Sequence, residues 1–176
     1  MPIDPALSTR TLSDTAQEHL DDHNAIHDYL NAPPFVGVKA YRDTSAQTVA
    51  NNTLVAIQLN AEEFDSHGFH DNATNNTRFT IPSGMAGKYL CVGQIAHQLN
   101  TAGTTRSAQI HKNGTMRGES DGPPNQTFDT VLQVQCVLDM IVGDYVELKA
   151  YQNSGVSGGA EAGSAESWFA MTYLGA

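Results

Sequence analysis

The chain of 176 residues carries 9 basic and 19 acidic side chains, a formal net charge of −10, so it repels phosphate and shows no basic stripe that would hold nucleic acid. That length gives room for one domain with a sizeable core plus a short appendage, and no apolar run approaches the roughly 20 residues a membrane helix needs. The start, MPIDPALSTR, has neither a basic n-region nor an apolar h-region, which predicts a protein made and kept in a cytoplasm, or built into a particle there.

The first segment is chemically distinct. Between Met1 and Ala32 stand Asp4, Asp14, Glu18, Asp21, Asp22 and Asp28 against Arg10 alone. Thr11 to Asn31 reads as a helix. Ser13 or Thr15 caps it, Thr15-Ala16-Gln17-Glu18 fits a capping box, and Pro33 and Pro34 close it because neither donates a helical hydrogen bond. Ala16, Leu20, His23, His27 and Leu30 follow heptad steps, and a second register runs Leu12, Ala16, His19, His23, Ile26, Leu30. A seam this narrow on a short acidic helix predicts pairing with copies of itself or docking into a partner's socket. The plain expectation for His23 and His27 is amphipathic filler beside the seam. The alternative is a histidine ring on a symmetry axis that holds water, an anion or a metal and responds to pH; with no cysteine or inward carboxylate to complete a ligand set, no metal is expected.

From Phe35 the period changes to two, which places the domain boundary between residues 34 and 35. Val36, Val38 and Ala40 share one face of a strand, as do Val55, Ile57 and Leu59; Tyr89, Cys91, Gly93 and Ile95; Leu132, Val134, Cys136 and Leu138; Val146, Leu148 and Ala150; and Phe169, Met171 and Tyr173. Asn113-Gly114 is a hairpin signal, since a type I′ turn needs positive φ at both central residues. Pro82-Ser83-Gly84 and Val142-Gly143-Asp144 read as short turns; Leu99 to Arg106, Glu119 to Gln126 and Asn153 to Ala165 read as loops. Many short strands with such turns and no central helix predict a β-sandwich or jelly roll.

Several patterns are weighed and set aside. Asn51, Asn72, Asn75, Asn113 and Asn125 stand in Asn-x-Thr sequons, but without a secretion signal they read as turn and strand residues. Cys91 and Cys136 lie in alternating apolar runs, where a buried reduced thiol is the expected occupant and a disulfide the lesser expectation. His67-Gly68-Phe69-His70-Asp71, read as strand, would turn its two histidines to opposite faces and spoil chelation. Glu119 and Asp121 read as solvated, not as a calcium cup. No nucleophile elbow, phosphate loop or zinc-protease helix is present, so neither an enzyme nor a cofactor is expected. Tyr151 and Trp168 are the aromatic candidates for a saccharide contact, with Trp168 expected in the core.

RFTIPSGMAGKYLCVGQIAHQ, AQIHKNGT, VLDMIVGDYVELKAYQNSG and the closing SWFAMTYLG, in that order, resemble the jelly roll shared by complement globular heads and tumour necrosis factor. Gly87-Lys88-Tyr89 matches that family's Gly-x-Tyr strand. Gly143, Asp144, Val146 and Leu148 match its Gly-Asp-x-Val-x-Leu strand. The resemblance implies a compact homotrimer over about Val36 to Leu174, with Tyr89, Tyr145, Phe169 and Tyr173 as candidates for the trimer core and variable loops at the exposed end. DHNAIHDYLNA in turn resembles the His-Asn-x-x-His helices near the N-termini of bacteriophage tail and fibre proteins. Together the resemblances imply a non-enzymatic virion protein: a tail-fibre or tail-tip subunit anchored to other virion proteins by its helix (Ala16, Leu20, His23, Ile26, His27, Leu30), with a trimeric head that contacts a host-surface saccharide or protein. The alternative is a capsid-decorating head fibre; a cytokine-like ligand is disfavoured by the missing secretion signal.

Overall fold

The computed structural model describes Leu20, Asp21, His23, Asn24 and residues 35–176. The chain divides into two compact units, Met1–Phe35 and Val36–Ala176. In the first, Leu20, Asp21, His23 and Asn24 have helical backbone. Ala16, Ile26, His27 and Leu30, the rest of the predicted seam, lie outside the described residues.

The second unit is two antiparallel sheets. Sheet one contains β1 (Gly37–Tyr41), β2 (Gln47–Val49), β4 (Ala61–Asp65), β6 (Gly87–His97), β9 (Thr130–Met140), β11 (Gly158–Ala160) and β12 (Trp168–Gly175). Sheet two contains β3 (Val55–Ala56), β5 (Arg78–Thr80), β7 (Arg106–Lys112), β8 (Thr115–Gly122) and β10 (Tyr145–Gln152). In sheet one β6 is central: β9 pairs along its whole length on one edge, and β12, then β1 and β4, follow on the other. In sheet two β10 is central, with β7 and β8 on one edge and β5 and β3 in succession on the other. The chain crosses between sheets from β6 to β7, β8 to β9 and β9 to β10, which is jelly-roll connectivity.

The period-two pattern does the work the sequence predicts. Val38, Ala40, Tyr89, Cys91, Ile95, Leu148 and Phe169 turn inward and are fully buried, and Phe79 stacks on Phe169 across the sandwich with ring centroids 4.8 Å apart. Gly93 lies at a close approach of the two layers; a Cβ there would stand 2.5 Å from a Leu148 methyl. The Asn113-Gly114 hairpin forms with φ of 49° and 78°.

Four expectations are corrected. Glu119 to Gly122 is not loop but the end of β8, paired residue by residue with β7 up to Arg106↔Gly122. Residues 158–160 of the expected long loop form β11, which pairs with β2. Trp168 is half-buried on the outside of sheet one, because strand parity that sends Phe169 and Met171 inward sends Trp168 outward. His67 to Asp71 is a turn: the Asp65 carboxylate accepts the backbone N–H of His67, Gly68 and His70 at 3.1, 2.9 and 2.8 Å, and Gly68 takes φ of 70°.

Candidate binding surfaces: an apolar sheet face and a braced loop end

The outer faces of the two sheets differ in chemistry. On sheet one, the outward residues of β9 from Val131 to Val137 are Val131, Gln133, Gln135 and Val137; the outward β6 residues paired along that stretch are Leu90, Val92, Gln94 and Ala96; those of β12 beside them are Trp168, Ala170 and Thr172. None of these is charged; the exposed register partners Lys88 and Asp139 bound the field with charge at the chain-entry end. Val131, next to the start of β9, and Val137, within it, are 50% and 59% exposed. The amides on this face partly satisfy one another, with Gln133 donating to Gln94 at 2.8 Å and Gln94 to the Glu166 carbonyl at 3.0 Å. Lys39 caps the margin, its ammonium 5.2 Å above the Trp168 ring.

Sheet two carries polar, mutually paired groups on its outside. Lys149 meets Glu147 at 3.0 Å, Glu119 accepts from Ser107 at 3.0 Å and Gln109 at 2.7 Å, and the Arg78 guanidinium lies 4.8 Å from the Tyr145 ring centre. One face therefore presents uncompensated apolar area and the other a surface suited to water.

The loops after His97 and Gln152 and before Thr130 gather at one end of the sandwich. The chain enters the second unit at the other end, where Gly37 pairs with Thr172. Long-range side-chain bonds brace these loops. Asn153 Oδ1 accepts the N–H of Thr104 at 2.9 Å and of Thr105 at 2.8 Å, and its amide donates to Thr104 Oγ1 at 2.9 Å. Gly103, with φ of 81°, packs so tightly that a Cβ would stand 2.4 Å from the Asn153 carbonyl oxygen. Arg106, 2% exposed, reaches back to donate to the carbonyls of Asn100, Ala102 and Thr105 at 2.6, 3.0 and 3.0 Å. Asp129 accepts from the Leu99 N–H at 2.7 Å, and Asn51 from that of Gly155 at 2.8 Å. From this frame Leu99, Phe128 and Val156 project with exposures of 51%, 70% and 59%. Rigid loops with exposed apolar tips can meet a partner with little ordering entropy to lose.

The titratable groups are structural in placement. His97 lies beneath the braced end with Nε2 3.1 Å from the Ser107 carbonyl; burial lowers its pKa to about 4, against that hydrogen bond and with help from the Arg106 charge. Burial alone would raise the Asp144 carboxyl, but Lys112 at 2.8 Å, the Ile141 N–H and the Asn113 amide outweigh it and hold the pKa at about 2. Tyr89 is pushed up to about 12 by burial and its neighbour Tyr173, and its hydroxyl donates to the Met85 carbonyl.

The aromatic candidates divide. Tyr89 and Phe169 are fully buried between the sheets, where their rings fill the core of the second unit. Tyr173 packs edge-on against Tyr89 with centroids 5.2 Å apart, and Tyr145 lies on the outside of sheet two under Arg78. Tyr151 is half-buried, its hydroxyl bonded to Asn52 at 3.1 Å. Asn113 and Asn125 serve their turns, Asn113 Oδ1 accepting from the Tyr145 N–H and Asn125 Oδ1 from the Thr127 and Phe128 N–H groups. His70 turns both ring nitrogens to backbone carbonyls, those of Arg78 and Leu59. Among the described residues no three metal-ligating side chains come together, and no helix is long and apolar enough to cross a membrane.

No protein-family model matches the sequence, and no curated protein matches it. Solved structures do match the fold. The Eiger tumour necrosis factor of S. frugiperda is 12% identical over 81% of this chain and 94% of its own, with a TM-score of 0.61. The globular domain of zebrafish complement 1qA is 10% identical over 81% and 98%, with a TM-score of 0.58, and murine APRIL is 10% identical over 80% and 100%, with a TM-score of 0.57. The mostly β second unit is thus a jelly roll of the tumour necrosis factor and complement-head type.

Proposed function

We propose that the protein is a non-enzymatic virion subunit of a bacteriophage whose jelly-roll head is a homotrimer, built through the outer face of sheet one, and which contacts the host surface with its braced loop end. The observation that carries the assembly is the uncharged field that runs from the exposed β9 residues Val131, Gln133, Gln135 and Val137 across to half-buried Trp168, set against the charged and paired outside of sheet two. A face of that composition gains free energy when another subunit covers it, at about 25 cal/mol per Å² of apolar surface. The three-fold symmetry comes from the resemblance to tumour necrosis factor and complement heads, and the phage setting from the DHNAIHDYLNA element.

In this reading the acidic segment before Pro33 anchors the subunit to other virion proteins, and Leu99, Phe128 and Val156 reach toward a host saccharide or protein from the end opposite to chain entry. Such a subunit sits in a tail fibre or tail tip. The test is deletion of Met1 to Ala32 in the producing phage. The shortened chain is expected to fold and to be missing from purified virions; its presence there in normal amount would contradict the anchoring role.

A further inference from the structure

Cys91 and Cys136 stand directly opposite each other in the register of β6 and β9. Opposed residues of antiparallel strands have Cα atoms about 4.5–5.5 Å apart, inside the roughly 4.4–6.8 Å that disulfide-bonded cysteines occupy. Both side chains point between the sheets, Cys91 within the core cluster and Cys136 packed against it. They differ in access. Cys91 is fully buried, while Cys136 is only half-buried. Beside it on β8 is Gly118, where a Cβ would stand 3.5 Å from Cys136 Cβ. The interaction with Cys91 and the charge of Arg117 hold the Cys136 thiol below its ordinary pKa, against the effect of burial, while the interaction with Cys136 and burial raise Cys91. A half-buried, more acidic thiol beside a fully buried partner is the arrangement of an attacking and a resolving cysteine.

We propose that Cys91 and Cys136 form a redox-active pair that closes a cross-strand disulfide between β6 and β9 by exchange with a small-molecule disulfide. The Cys136 thiolate attacks one sulfur of the small disulfide; that S–S bond breaks, one small thiolate leaves and takes up a proton, and a mixed disulfide remains on Cys136. Cys91 gives up its proton to solvent and attacks the Cys136 sulfur; the mixed bond breaks and the second small thiol departs. Two protein thiols are oxidised to one disulfide, and the small disulfide is reduced to two thiols. The bond rivets together the two strands that carry most of the apolar face of sheet one. In a reducing compartment the pair stays open, and in an oxidising one it closes. This holds whether or not the chain belongs to a virion.

The test is incubation of the full-length chain with excess oxidised glutathione at mildly alkaline pH, read by intact mass and by thiol titration after acid quench and denaturation. Both thiols are expected to disappear together, with a mass loss of two hydrogens and a higher urea midpoint, all reversed by reductant. Cys91→Ala is expected to stop at one glutathionyl group on Cys136, and Cys136→Ala to leave Cys91 unmodified. Two thiols that persist through the incubation, a wild-type chain that accumulates glutathione on Cys136 without closing the bond, or a disulfide only between chains would each overturn the proposal. The wild-type chain alone gives this reading, so a variant that fails to fold does not remove the test.

Discussion

His97 makes the braced end sensitive to acid. Its ring is 2% exposed, and its pKa is lowered from the ordinary 6.5 to about 4, chiefly by burial. Below pH 6.5 the unfolded chain takes up a proton there that the folded chain refuses until about pH 4. Stability therefore falls as pH drops from 6.5 toward 4, and this contribution levels off below that, at a full size of about 3 kcal/mol. Urea denaturation should show the folded chain weaker by about 2 kcal/mol at pH 5 than at pH 7, and His97→Gln should flatten that slope. An unchanged slope in His97→Gln would assign the acid limb to another group. Asp144 acts in a separate window: its folded pKa is depressed, so its contribution is present above the ordinary 3.8 and is lost as pH falls toward about 2.

The connections at the loop end depend on single side chains that tie elements together. Asn153→Ala removes the oxygen that accepts two backbone N–H groups, and one donor, at once, so the 99–105 loop should open without unfolding the sandwich. Amide hydrogen exchange at Thr104 and Thr105 should accelerate several-fold while global stability falls by about 1 kcal/mol; equal exchange rates in both chains would mean that Asn153 is not the brace. Nothing local in the sequence announces this bond, because its partners lie 48 and 49 residues apart. The buried strands were legible for the opposite reason: period-two runs such as Val146, Leu148 and Ala150 record burial directly. β8 was not, since both its faces are half-exposed or exposed and Arg117, Glu119 and Asp121 can alternate with small residues without an apolar signal. Trp168 was legible by parity but not by residue type, because its size suggests core while its neighbour Phe169 already fills that face.

At the scale of the whole molecule, the two outer faces divide the labour. Sheet two's pairs, Lys149 with Glu147 and Glu119 with Gln109, satisfy one another within the chain, whereas Leu90, Val92, Val131 and Val137 on sheet one gain only if something covers them. The sequence shows the inward faces because their pattern is regular; it hides the apolar outer face of sheet one because there Val131, Gln133, Gln135 and Val137 read as the polar-diluted outside of an ordinary strand. The most direct measurement is the molar mass, by light scattering at neutral pH, of the full-length chain and its Val137→Lys variant, with Met116→Lys, at an exposed apolar residue of β8, as control. Three times the chain mass of 18.9 kDa is expected for the wild type and the control, and the single chain mass for Val137→Lys. A monomeric wild type, or a Val137→Lys variant that remains trimeric, would contradict assembly through the outer face of sheet one.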